Sequence, residues 1–196
     1  MKTILKLSLL ALLFLPVAQA QGPLVAGMGP VVEAGVGYSY TKADLPSGSN
    51  LGMNGVQLIG NADFTKRLGI KAEVGYSRSF DVFSSGHSAD LLTYMAGPVF
   101  YPVRNTKMNV FAHILLGGAR ETGVNYEANG QIVLGFVNKF AWAGGGGFQY
   151  RISRSLSIRT GVDYLRTSYF DSTIAVKGQT NLRPSVSLIY TFGERE

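Results

Sequence analysis

The sequence predicts an all-β fold, an eight-stranded antiparallel up-and-down transmembrane β-barrel preceded by a cleavable signal peptide. Three observations predict this fold. Segments of about ten residues alternate between apolar and polar side chains, as strands do when one face meets lipid and the other a polar interior. The connections between these segments alternate between long and short. The N-terminus has the pattern of an export signal.

Residues 1–20 match a signal peptide. Lys2 and Lys6 supply its positive region, an apolar stretch follows, and Ala18-Gln19-Ala20 matches the small-x-small cleavage site. A transmembrane helix is the alternative, but the apolar run is too short to span a bilayer and contains Pro16. Cleavage after Ala20 would remove both lysines and lower the formal net charge from +6 to +4.

Residues 140–166 give the clearest strand pattern. From Phe140 to Tyr150 the aromatic residues share one parity, and a second alternating segment runs from Leu156 to Tyr164. Since successive strand side chains point to opposite faces, we interpret the two segments as a membrane hairpin with a turn at 152–155. The four glycines at 144–147 lie within a strand and no helix follows, which excludes a phosphate-binding loop.

The same alternation predicts six further strands. Pro98 falls inside one of them, where we expect a bulge or weakened pairing because proline cannot donate to the ladder. A lead-in at 21–30 precedes the barrel at 31–192, and a tail at 193–196 follows it. The strands are predicted at residues 31–41, 53–64, 69–80, 91–101, 107–121, 140–151, 156–166 and 181–192.

The predicted connections support a membrane barrel. The long loops are 44–50, 81–90, 122–138 and 167–180, and the short turns are 65–68, 102–106 and 152–155. An up-and-down barrel with both termini in the periplasm requires this order, with short periplasmic turns and longer external loops.

Several segments also resemble a known family. FAWAGGGGFQYRI, SIRTGVDYLRT and NLRPSVSLIYTF are similar to the last three strands of small bacterial outer-membrane barrels, and YMAGPVFYP and NVFAHILLGGA resemble the middle strands. The family is the OmpA/OmpX-like outer membrane protein β-barrel domain group, and the resemblance covers nearly all of the mature chain. It implies a bacterial outer-membrane location. Because members of the group do different things, it implies little about function.

A soluble lipocalin-like barrel is the structural alternative, and it would place its apolar face inside. Here the interior parity carries the charges. Since unpaired charges in a narrow lumen are costly, we expect a lumen network in which Arg159 bridges at least one of Glu33, Glu73 or Asp163. An eight-stranded barrel is just wide enough for side chains to fill it, which argues against an open pore. The predicted network contains Glu33, Asp63, Lys71, Glu73, Arg159 and Asp163.

The outward faces of the four upward strands all end in a cation, at Lys42, Arg78, Arg120 and Arg166. Lipopolysaccharide presents phosphates at that height, so these residues are predicted to form a ring of phosphate contacts. The alternative is snorkelling of long side chains above an aromatic belt, without a specific lipid. The predicted aromatic girdle is Tyr38, Tyr40, Tyr76, Trp142, Phe148, Tyr150, Tyr164, Tyr190 and Phe192.

No catalytic, cofactor or metal site is predicted. His87 and Ser88, with Asp81 and Asp90 nearby, contain the residue types of a hydrolase triad, but we interpret them as a polar loop. The paired His and Ser of lipid A deacylases lie on a strand, so the resemblance offers no match. His113 is a lone inward histidine without metal-ligand partners, and we expect it to be hydrogen-bonded. The chain has no cysteine.

Three functions follow from the sequence, in order of preference. The first is a non-enzymatic barrel with a structural body and external loops that make surface contacts, the second a small low-conductance channel, and the third a lipid A-modifying enzyme. The expected partners are outer-membrane lipids, including lipopolysaccharide, and the barrel-insertion machinery, which would recognise the C-terminal strand ending at Phe192. The usual signal ends at the aromatic residue, whereas here 193–196 follow. We expect a monomer that binds no nucleic acid.

Overall fold

The structure is a computed structural model that describes residues 31–44, 50–80, 88–126, 132–167 and 179–192. For residues 44, 123–126, 132–135 and 179 it describes the backbone only. All of these residues belong to one compact unit within residues 31–196. The predicted signal peptide, the lead-in and the tail lie outside the described residues.

Eight antiparallel strands form one closed barrel. Each strand pairs with its neighbour in sequence, and the first pairs with the last, which confirms the predicted up-and-down topology. Closure lets the backbone groups bond within the sheet, as hydrocarbon surroundings require. The strands are β1 (Val31–Asp44), β2 (Asn50–Asp63), β3 (Leu68–Ser79), β4 (Ala89–Arg104), β5 (Met108–Tyr126), β6 (Ile132–Arg151), β7 (Leu156–Thr167) and β8 (Gln179–Phe192).

The apolar face of the barrel is the outer one. Three consecutive residues of β2 show this, since Val56 and Leu58 are 58% and 57% exposed whereas Gln57 is 2% exposed. A soluble barrel would have the opposite arrangement, so the lipocalin-like alternative does not apply. None of the described segments is a helix long and apolar enough to cross a membrane.

The predicted long loop at 122–138 is mostly strand. β5 continues to Tyr126 and β6 begins at Ile132, and these two residues are paired. The apolar run 132–137 has high β-propensity, and pairing with β5 satisfies its backbone. Because β4 pairs with β5 only as far as Thr122, and β7 with β6 only from Ala141, the two strands extend beyond the barrel wall as a ribbon.

The pairing of β4 with β5 is weakened at Pro98, as predicted, and a bulge follows a few residues later. Pairing between β4 and β5 stops at Ala96 and resumes at Val99, so the ladder is interrupted at Pro98, but the register shifts later, between Phe100 and Val103. A bulge inserts an extra residue and redirects the side chains that follow. Tyr101 keeps the inward parity of Val99, but the next two residues are both exposed, and Arg104 returns to the interior side.

Candidate functional site

The lumen at the short-turn end holds a group of charges that we call the lower ionic cluster: Glu33, Asp63, Arg104 and Arg159. Arg159 Nη2 lies 2.8 Å from Glu33 Oε2, so the structure contains an Arg159–carboxylate bridge of the predicted kind. The same guanidinium donates to Gln149 Oε1, at 3.1 Å from Nε and 2.5 Å from Nη2. Arg104 pairs with Asp63. Two guanidinium groups thus offset two carboxylates.

Asn61 connects the two pairs of the lower ionic cluster. Its Nδ2 lies 2.8 Å from Asp63 Oδ1 and 3.3 Å from Glu33 Oε2. It also lies 2.7 Å from the hydroxyl of Tyr101, the ring on which the Arg104 guanidinium stacks at 4.3 Å. Buried polar groups are stable only when their partners are present, and this amide supplies them for both carboxylates.

A second group, the middle ionic cluster, comprises Lys71, Glu73, His113, Asp163 and Arg183. Lys71 Nζ lies 2.8 Å from Glu73 Oε2. Arg183 sits between the two carboxylates, paired with Glu73 and 2.7 Å from Asp163 Oδ2. His113 Nε2 lies 3.0 Å from Asp163 Oδ1, so the inward histidine contacts a carboxylate. All five residues are buried, and the charges of two cations and two carboxylates balance.

The glycine run at 144–147 makes room for this cluster. Gly145 pairs with Asp163 across β6 and β7. A Cβ at Gly145 would lie 2.1 Å from Asp163 Oδ1, which is closer than side-chain atoms approach one another. Glycine in a strand often marks such a close approach, and here it lets the carboxylate lie flat against the barrel wall.

The part of the lumen nearer the long loops is filled by apolar side chains, which we call the apolar plug. Leu115 and Leu165 are its fully buried large members, each 0% exposed. Buried apolar side chains of this kind offer water no hydrogen-bond partner. The plug consists of Ala43, Leu51, Met53, Ala89, Leu91, Met95, Leu115, Ala119, Ala141, Ala143 and Leu165.

The lumen network predicted from sequence is divided and incomplete. Glu33, Asp63 and Arg159 belong to the lower ionic cluster, and Lys71, Glu73 and Asp163 to the middle one. Each cluster is completed by an arginine absent from the prediction. Arg183 was detectable, because it has the inward parity of β8. Arg104 was not, since only the bulge turns it towards Asp63.

The four predicted ring cations all lie on the outer face near the long-loop end. From Lys42 to Arg78, the pairing partner moves two residues along β2, from Gly52 to Asn54. The same comparison gives a step of two residues along β4 from Arg78 to Arg120, four along β6 from Arg120 to Arg166, and two along β8 from Arg166 back to Lys42. Because the strands of a closed barrel are tilted, nearly even steps of this kind keep the four residues at about one height.

The ring cations differ in their local partners. Arg78 Nε lies 3.5 Å from Asp90 Oδ1, and Arg78 Nη2 donates to Ser88 Oγ at 3.0 Å. The Arg120 guanidinium lies 4.2 Å above the ring of Phe136, which fixes it on the barrel surface. Lys42 and Arg166 are exposed.

The predicted girdle residues fall into two belts. Trp142 packs on Tyr164 near the long loops, with ring centroids 5.8 Å apart, and Tyr190 contacts Phe192 edge-on near the short turns, at 4.9 Å. Aromatic side chains of this kind favour the two membrane–water interfaces. The belt near the long loops contains Tyr38, Tyr40, Tyr76, Trp142 and Tyr164, and the other contains Phe148, Tyr150, Tyr190 and Phe192.

The loop residues weighed as a hydrolase triad are only partly described. Asp81 and His87 lie outside the described residues. Ser88 accepts the bond from Arg78, and Asp90 Oδ1 accepts one from the Tyr76 hydroxyl at 3.0 Å. Among the residues that the structure describes, no group of three or more His, Asp or Glu side chains could hold a metal ion.

Comparisons with known proteins agree with this architecture. The profile of the family described as "Outer membrane protein beta-barrel domain" matches residues 7–191. Neisserial surface protein A is similar with a TM-score of 0.66 and 11% identity, over 82% of this chain and 97% of that one. OprG from Pseudomonas aeruginosa is similar with a TM-score of 0.52 and 12% identity, over 84% and 97% of the two chains.

A third similar structure is Ail, the attachment invasion locus protein of Yersinia pestis, in complex with the heparin analogue sucrose octasulfate. Its TM-score is 0.58 at 20% identity, over 84% of this chain and 100% of that one. At identities this low, the three structures establish the fold alone. A search of curated protein sequences finds no match.

Proposed function

Since the chain belongs to the outer membrane protein β-barrel domain family, we propose that it is a non-enzymatic barrel with a structural body, a plugged lumen and external loops that make surface contacts. The filled lumen carries this proposal. Two charge-balanced clusters and an apolar plug occupy the interior in series, and all of their residues except the half-buried Arg104 are buried. This arrangement favours a scaffold that carries surface loops over the alternative of a small channel.

Planar-bilayer recording tests the plugged lumen directly. We expect the refolded protein to give no large, steady conductance, because paired charges and packed apolar side chains leave no continuous water path. A porin with a known open channel, reconstituted in the same way, serves as the positive control. Large, steady openings of the wild-type barrel would favour the channel and contradict the scaffold.

The surface contacts belong to the long-loop end. We expect a barrel whose loops 45–49, 81–87, 127–131 and 168–178 are each replaced by a two-residue Asn-Gly turn to insert normally but to lose adhesion to host-cell surfaces. Ail was solved with a heparin analogue, so immobilised heparin is a suitable first probe. Adhesion and heparin retention equal to those of wild type would remove the loops from the proposal.

We also propose that Lys42, Arg78, Arg120 and Arg166 contact the phosphates of lipopolysaccharide in the outer leaflet. Their common height and outward direction support this role, and guanidinium groups match phosphate bidentately. Snorkelling alone explains the position of each cation but not the recurrence on every upward strand. Arg78 would share its guanidinium between a phosphate and Asp90.

Replacing these four cations by Gln together, the ring variant, should reduce the lipopolysaccharide retained through purification. It should also abolish the rise in thermal unfolding temperature that added lipopolysaccharide gives the wild type. The readout is the folded-to-unfolded mobility shift on unboiled gels. A ring variant that keeps as much lipid and the same thermal response would identify ordinary snorkelling.

The end of β8 is the proposed recognition signal for the insertion machinery. Val186, Leu188, Tyr190 and Phe192 alternate on the outer face, and Phe192 is 52% exposed. We expect Phe192→Ala to lower the amount of inserted barrel in cells without affecting passage across the inner membrane. Phe148→Ala, a girdle substitution near the same boundary, is the matched control. Equal insertion of both variants would leave Phe192 as a girdle aromatic.

A further inference from the structure

The three short turns carry a concentration of positive charge at one end of the barrel. Residues 64–68, 104–108 and 151–156 contain six Lys or Arg side chains and no Asp or Glu. The five that remain after Arg104 is set aside we call the basic rim: Lys66, Arg67, Lys107, Arg151 and Arg154. In a bacterial outer-membrane barrel this end faces the periplasm.

Arg104 is bound in the lumen, whereas four of the rim cations, Lys66, Arg67, Lys107 and Arg154, are exposed, and Arg151 is half-buried on the inward parity at the end of β6. Arg104 pairs with Asp63, and its Nη1 donates to the carbonyl oxygens of Thr65 and Lys66, at 3.4 Å and 3.2 Å. This guanidinium therefore holds the first turn against the barrel. No salt bridge between described residues involves a member of the basic rim.

The turns are too tight to carry these cations away from the membrane. In the first, the amides of Phe64 and Thr65 both donate to the Leu68 carbonyl at 3.1 Å. In the third, the Ile152 amide donates to the Leu156 carbonyl at 2.9 Å. Thr65 Oγ1 adds a bond from the Leu68 amide at 2.9 Å. The rim is thus fixed by backbone geometry rather than by flexible loops.

Apolar side chains in the same turns place the basic rim at headgroup depth. Phe64, Leu68 and Ile152 are 62%, 52% and 53% exposed, on the outer face of the barrel. Side chains of this kind favour hydrocarbon, so the membrane boundary lies among the turns themselves. Lys66, Arg67, Arg151 and Arg154 lie one or two residues from these side chains, and Lys107 adjoins Met108, which is 41% exposed. The cations therefore reach the layer where lipid phosphates lie, because long basic side chains snorkel to that depth.

We propose that the basic rim binds the phosphates of anionic glycerophospholipids in the periplasmic leaflet, in preference to zwitterionic ones. Five cations that form no salt bridge with a described carboxylate repel one another, and anionic headgroups relieve that repulsion. The tail at 193–196, with two glutamates and one arginine, lies outside the described residues and would leave this end positive. A glycan layer in the periplasm, farther from the membrane, would lie beyond the reach of these tight turns. Lipid is therefore the favoured occupant.

The test compares two variants of the full-length barrel in mixed vesicles of phosphatidylglycerol and phosphatidylcholine. One is the ring variant, in which the cations at the other end are Gln. The second adds K66Q, R67Q, K107Q, R151Q and R154Q. We expect the ring variant to retain phosphatidylglycerol over phosphatidylcholine by at least about threefold, measured by native mass spectrometry, and the second variant to lose this preference.

A third variant keeps the positive charge of the rim by adding K66R and K107R to the ring variant. It should retain the preference for phosphatidylglycerol. If removal of the rim charges leaves lipid selectivity unchanged, the proposal is overturned. It is also overturned if the five Gln substitutions reduce binding to purified peptidoglycan sacculi but leave lipid selectivity the same. Binding of inorganic phosphate that depends on the rim in the same way, without any lipid, would overturn it as well. Because every variant lacks the external ring, failure of the lipopolysaccharide proposal does not affect this result.

Discussion

Arg183→Met is expected to lower the free energy of unfolding by about 3–5 kcal/mol, because it leaves two buried carboxylates without their shared cation. Arg183 is 2% exposed and contacts both Glu73 and Asp163. In this variant Glu73 would keep its contact with Lys71, whereas Asp163 would keep only its contact with His113. Unfolding by guanidinium chloride in detergent, followed through the fluorescence of the single tryptophan, Trp142, measures the change in free energy.

Two controls separate the lost charge from the lost side chain. Arg166→Met makes the same chemical change on the exposed outer face and should cost less than about 1 kcal/mol. Adding Asp163→Asn to Arg183→Met removes the orphaned carboxylate, leaves Lys71 paired with Glu73 and should restore much of the stability, since a charge-balanced buried set is often tolerated. If the single and double variants are equally unstable, packing by Arg183 rather than charge pairing holds the middle ionic cluster together.

The fold could be predicted because a membrane barrel imposes its pattern on nearly every residue. In β2 the alternation of Val56, Gln57 and Leu58 fixes which face is lipid-exposed, and the signal repeats strand after strand. The predictions that were wrong concerned the ends of individual strands. The ends of β5 and β6 depend on pairing between the two segments that flank the connection, so the run 132–137 looked like loop when each strand was judged alone.

The lumen could be predicted only as a set of inward charges. Parity gives the direction of a side chain, but partners depend on the register of several strands at once. Glu33 and Arg159 are 126 residues apart in sequence and meet because the barrel closes. Arg104 was hidden by a further effect, because a one-residue bulge reverses parity for the residues after it.

Stability and conductance should respond differently to changes in the apolar plug. Leu115→Ala is expected to lower the free energy of unfolding by about 2–5 kcal/mol, because the side chain is 0% exposed and its removal leaves a cavity. Leu116→Ala, on the next residue, changes a side chain that is 55% exposed on the outer face and should cost less, because lipid fills the space and only the transfer term is lost. The two variants share one chemical change and differ only in the face that it affects.

Conductance, in contrast, should stay near the wild-type level even when Leu115 and Leu165 are both replaced by Ala. The apolar plug and the two ionic clusters lie in series along the lumen, so opening one layer leaves the others closed. A steady current is therefore expected only when the ionic clusters are also reduced in size, for example by adding Glu73→Ala and Arg183→Ala together with Glu33→Ala and Arg159→Ala. Large, steady openings in the Leu115 and Leu165 double variant would identify the apolar plug as the only seal and would contradict the serial arrangement.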